Sequence, residues 1–158
     1  MFRPLTSPSP SSTSPSPPHG YPLRRVGRWL LVTLALLFLA GFGLARSLEP
    51  DPRGFGTHQR LGLPPCTTRA LWNLPCPGCG MTTCFAHFTR GQLLPAMRAN
   101  LAGVLLAIVC ATAIPWCLWS AWQGRMWWVE EPSQSLMWLL LALMGAALLE
   151  WGLRLLSP

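Results

Sequence analysis

Four of the six cysteines, Cys66, Cys76, Cys79 and Cys84, fall within 19 residues, and His87 follows three positions behind the last of them. Thiolates and imidazoles are the ligands of tetrahedral zinc. The centre of the cluster reads Leu74-Pro75-Cys76-Pro77-Gly78-Cys79-Gly80-Met81-Thr82-Thr83-Cys84. Proline fixes φ and glycine admits positive φ, so Cys76-Pro77-Gly78-Cys79-Gly80 predicts a tight knuckle that turns two sulfurs toward one centre. Gly80 would leave backbone N–H groups free to support those sulfurs. Cys66, ten residues upstream, is the third candidate ligand. The fourth is either Cys84 or His87, which share a helix face. A second Cys-x-x-Cys, which would make the pattern more specific, is missing.

The same residues carry two other readings. A helix predicted to begin near Thr82 or Thr83, both good N-caps, places its positive end beside Cys79. That position lowers a thiol pKa and would make Cys76 and Cys79 a redox pair, the reading of a membrane thiol–disulfide oxidoreductase. Pro-Gly between the cysteines and the lack of alternating strand patterns argue against a thioredoxin fold. The third reading is an assembly factor with a structural disulfide, and the redox compartment decides between metal and disulfide. No paired carboxylates, Ser/His/Asp set or phosphate loop offers other catalytic residues, so the sequence leans away from an enzyme. Cys110 and Cys117 read as small hydrophobes of an apolar helix. His19 and His58 are isolated and receive no role.

The elements that must position this cluster follow from composition. Apolar residues are 51% of the 158, and charged residues 11%, against ~25% in ordinary soluble domains. All twelve basic residues are arginine, for a net charge of +7. That charge is squeezed out of long apolar blocks instead of being gathered on a basic surface, which excludes most soluble enzymes. It makes the bilayer, not nucleic acid, the expected partner. We expect an all-α integral membrane protein with three transmembrane helices and a short cysteine-bearing helical segment between the first and second. Residues 1–25 form a disordered Ser/Pro-rich tail, and residues 26–45 a first span behind Arg24, Arg25 and Arg28. A cleaved signal ending at Gly43-Leu44-Ala45 is its rival reading, disfavoured by the long n-region and long apolar stretch. Residues 46–99 hold the cysteine loop and short helices. Spans follow at 100–123 and 135–156, joined by a short turn at 124–134.

Finer expectations attach to these elements. Tryptophans at 29, 116, 119, 122, 127, 128, 138 and 151 mark the headgroup levels, and most of them wrap the turn between the second and third spans. Gly103, Ala107 and Ala111 against Ala142 and Ala146 predict a tight antiparallel hairpin of those two spans, with self-association as another outlet for small faces. Glu150 and Arg154, at i,i+4, neutralise one another. Phe85 and Phe88 form an apolar edge suited to the interface. Gly91 ends a short helix, Pro95 suits a first helical turn, Arg98 snorkels, and Asn100 caps the second span.

Cys76-Pro77-Gly78-Cys79-Gly80-Met81-Thr82, followed by Arg90-Gly91, Ala96, Arg98 and Asn100, resembles a small bacterial membrane-protein family known as domain of unknown function 2752. The resemblance covers about residues 60–123. It implies a short cysteine-bearing segment followed by two membrane helices, with an upstream cysteine matched here by Cys66, and it lends no activity. Many members carry arginine where this chain has Thr83, so a role for that arginine does not transfer.

The implied location is a bacterial inner membrane. Arg24, Arg25 and Arg28 favour a cytoplasmic N-terminus, which after three spans leaves the cysteine loop outside. Arg90, Arg98 and Arg154, against Arg125 alone in the turn, pull the other way. We give the first span the greater weight.

Overall fold

The structure, a computed structural model, describes residues 21–72, 74–129 and 131–156. The expected tail therefore lies outside the described residues up to residue 20. Its last residues are ordered: Tyr21–Pro22 is a strand, β1, and helix α1 begins at Arg25 and runs to Ser47. A 3-10 turn over Thr57–Leu61 and the short helices α2 (Thr67–Trp72), α3 (Met81–Phe88) and α4 (Leu93–Ala99) follow. Then come α5 (Leu101–Gln123), the strand β2 (Arg125–Met126) and α6 (Pro132–Leu156).

Three of these helices, α1, α5 and α6, are long and apolar enough to cross a membrane, with 23, 23 and 25 residues. At 1.5 Å per residue each exceeds the ~30 Å of a hydrocarbon core. Helix α1 ends where Pro50 approaches, because the residue before a proline is driven out of the α region; Leu48 is already extended, with φ −86° and ψ 128°. The break between α4 and α5 is a single extended residue, Asn100, with φ −167° and ψ 110°.

The close partner of α5 is α1, not α6 as the small-residue stripes predicted. Leu31 and Ala35 of α1 bury against Cys117 and Ala121 of α5. Among its described residues α6 has none that is buried. The reason is at the helix ends. Arg28 sends Nε to the carbonyl of Ala121 (2.6 Å) and Nη2 to that of Trp122 (2.9 Å), satisfying the last carbonyls of α5 from the first turn of α1. β1 pairs antiparallel with β2, Tyr21 opposite Met126 and Pro22 opposite Arg125. The chain entering α1 is thus fastened to the α5–α6 turn.

That turn carries the expected tryptophans at one end of the bundle. Trp29, Trp119, Trp122, Trp128 and Trp138 are all exposed, as rings meant for headgroups should be. Trp151 lies at the opposite end, where its indole N–H donates to the carbonyl of Pro75 (2.7 Å).

At that opposite end α3 and α4 pack beneath the start of α5, through Cys84, Ala96, Ala99 and Val104 with Phe88 at the edge. Phe85 and Phe88 do not form a free interfacial edge. Both stack on Phe42 of α1, with centroids 5.7 and 6.2 Å away. Arg90 reaches the carbonyls of Ala86 (2.7 Å) and Arg46 (2.9 Å), closing the exposed C-terminal ends of α3 and α1 together.

Candidate metal centre

The cysteine knuckle is built from two consecutive reversals. The Cys79 N–H donates to the Cys76 carbonyl (3.0 Å), and the Met81 N–H donates to the Gly78 carbonyl (3.1 Å). Gly80 takes a left-handed φ of 86° and sits so close to its surroundings that a Cβ would collide with the carbonyl oxygen of Ala99 and lie 2.8 Å from that of Gly54. Only glycine meets both conditions. Helix α3 therefore starts at Met81 with Gly80 before it, one to two residues earlier than the threonines predicted. Thr83 lies inside the helix and fully buried, its hydroxyl 2.8 Å from that of Thr57.

Within the knuckle the Cys76 and Cys79 sulfurs lie 3.2 Å apart, and the backbone N–H of Cys76 donates to the Cys79 sulfur (3.2 Å). The N–H that supports the Cys79 sulfur is thus that of Cys76. Cys66, just before α2, completes the group: the three Sγ atoms all lie within 4.8 Å of one another. Among the described residues all six cysteines are free thiols.

Cys84 and His87, the two candidates for a fourth ligand, are not in this group. Cys84 is wholly buried and faces α5, close enough that a Cβ on Gly103 would stand 3.1 Å from its sulfur. His87, in the last turn of α3, holds the Gln92 side-chain oxygen at 2.7 Å through Nδ1. The helix axis carries both away from a knuckle that precedes its first residue.

The thiols differ in acidity for identifiable reasons. The backbone N–H of Arg69 and then the Cys76 thiol donate toward Cys66 and lower it to about 7. Burial, and its role as donor to Cys79 and Cys66, push Cys76 up to about 12. Burial, followed by the charge of Glu150, pushes Cys84 up to about 12. Of Cys66 and Cys76 it is Cys66 that loses its proton first, and the resulting thiolate keeps Cys76 protonated.

Distant residues hold the knuckle in place. Asn100 is fully buried; its Oδ1 accepts the Gly103 N–H (2.6 Å) and caps α5, while its Nδ2 donates to the carbonyls of Cys79 (3.1 Å) and Pro77 (3.4 Å). Arg154 of α6 donates to the same Cys79 carbonyl (3.2 Å) and to that of Ala99 (2.7 Å). Glu150 pairs with Arg154 and accepts the first two N–H groups of α5, from Leu101 (2.8 Å) and Ala102 (2.6 Å). The sequence paired these two charges with each other but showed nothing of their reach to the knuckle.

Beside the sulfurs opens a cleft of about 310 Å³, walled by the three cysteines together with Arg53, Phe55, His58 and Arg69 among others. The Arg69 guanidinium carbon stands 3.4 Å from the Phe55 ring centroid, and that of Arg53 at 5.2 Å. Arg53 is also gripped by Asp51, whose carboxyl its hydrogen bonds lower to about 2. Sequence reasoning missed this cleft, because its wall comes from the loop at 53–59 and from α2, which no local pattern connects.

Residues 66–114 match the profile of a family described as protein of unknown function, DUF2752. The match begins at Cys66 and takes in the knuckle, Arg90 and Asn100. No curated protein and no solved structure matches the chain.

Proposed function

We propose that this chain is a small multi-pass protein of a bacterial inner membrane whose cysteine segment binds zinc through Cys66, Cys76 and Cys79, in a structural or interaction role. The observation that carries the reading is the convergence of three sulfurs from two separate stretches of chain to within 4.8 Å. Thiolate donors select soft or borderline ions, zinc foremost among the redox-inert ones. Support also comes from the second layer of contacts, since the two donors on the Cys79 carbonyl fix the knuckle from helices α5 and α6. Bound there, zinc would tie the cysteine segment to itself at the end of the bundle, with the metal replacing three thiol protons.

The test is metal analysis of the protein purified anaerobically in detergent. Near one equivalent of zinc is expected, lost in Cys66→Ser, Cys76→Ser and Cys79→Ser and retained in Cys84→Ala and His87→Gln. A second reading, a thiol–disulfide pair of Cys76 and Cys79, draws on their 3.2 Å approach. A metal-free preparation in which that pair exchanges rapidly with added disulfide would replace the zinc reading with this one.

A further inference from the structure

Three protein ligands leave a tetrahedral ion one position short, and sites of that kind, unlike closed four-ligand ones, accept a ligand from solution. Here the open side has a defined surrounding. The cleft against the three cysteines has about 310 Å³, the scale of a small-molecule site. A divalent ion with three thiolates carries one negative charge, and an anionic fourth ligand would raise it to two. Nearby cations stabilise such a centre. Arg53 and Arg69 stand in the wall, Arg53 with its charge already met by Asp51 and Arg69 with no ion pair among the described residues. Arg69 is oriented by stacking on Phe55 and, among the described residues, not by an acid, so its fork stays available to an acidic group.

We infer that the metal takes its fourth ligand from outside the chain, as a small acid that places a donor atom on the ion and its acidic group against Arg69. This inference rests on the zinc reading above. The competitor within the chain is His58, which shares the cleft wall.

The experiment uses the full chain in detergent, loaded anaerobically with cobalt(II), whose visible bands report its ligand set. Mercaptoacetate and 2-mercaptoethanol offer the same thiolate donor and differ by a carboxylate. Mercaptoacetate is expected to shift the bands saturably, at a concentration roughly fivefold lower than 2-mercaptoethanol requires, which is the scale of one partly exposed ion pair. The preference should collapse toward unity in Arg69→Gln, with His58→Gln leaving the starting spectrum unchanged. Bound cobalt whose bands ignore both thiols, equal response to the two thiols, loss of cobalt during the titration, or a changed starting spectrum in His58→Gln would each overturn the inference while leaving the metal site standing. Failure of cobalt to bind at all would remove the zinc reading with it.

Discussion

At the scale of single residues, Cys66 and Cys76 of the cluster are unequal in acidity, and the inequality is measurable. Cys66 is lowered to about 7 and Cys76 raised to about 12 because one receives hydrogen bonds and the other is buried and gives them. In metal-free protein, alkylation by iodoacetamide should therefore fall first on Cys66, its rate rising through about pH 7, while Cys76 stays protected. Peptide mapping after brief pulses across pH 6–9 checks this, and faster modification of Cys76 would contradict it. The linkage sign follows. The folded pKa of Cys66 lies below its unfolded value, so its stabilisation is present above roughly pH 8.5 and is lost as pH falls through about 7. Metal binding acts in the same direction, since thiols must shed protons to become ligands.

At the scale of elements, the decisive feature is how helix ends are satisfied. Glu150 on α6 accepts the first N–H groups of α5, and Asn100 takes the next from Gly103. The last carbonyls of α5 go to Arg28 of α1. Helix α5 is thus capped at one end by α6 and at the other by α1, which holds α6 in place although none of its residues is fully buried. Glu150→Gln removes the negative charge from a helix N-terminus and leaves Arg154 unpaired. We expect it to destabilise the protein by about 2 kcal/mol, read as thermal unfolding in detergent. Glu131→Gln, at an exposed residue just before α6, should stay within about 0.5 kcal/mol. Equal losses in the two variants would refute the capping role.

At the scale of the whole molecule, α1, α5 and α6 are each long and apolar enough to cross a membrane, and three crossings would put the tryptophan-ringed turn and the cysteine segment on opposite sides. Helix α1 packs along α5 and supplies the Arg28 cap. The arginines that opposed a cytoplasmic N-terminus also have structural employment, since Arg90 and Arg154 are spent on backbone carbonyls. We therefore expect an impermeant maleimide added to intact cells to label Cys66 kept as the sole cysteine, and to spare Arg125→Cys in an otherwise cysteine-free chain. Labelling only of Arg125→Cys would invert the topology.

The apolar blocks, the all-α class and the knuckle were legible in the sequence because each is local. Crossing a bilayer demands an uninterrupted apolar run, and Pro77, Gly78 and Gly80 force a turn within five residues. The pairing of Glu150 with Arg154 was legible for the same reason, one helical turn of separation. What the sequence did not contain was the choice of neighbour. Small stripes on α5 and α6 suggested that those helices pack together, and end-capping by Arg28 drew α5 onto α1. Cys84 and His87 had suitable chemistry and spacing, and the axis of α3 turned both away from the sulfurs. The carbonyl of Cys79 is held by Arg154 from 75 positions along the chain, and the cationic cleft is assembled from the loop at 53–59 and α2. Such contacts arise because buried carbonyls and helix ends must find donors wherever the fold supplies them, a demand that the sequence states and only the tertiary structure answers.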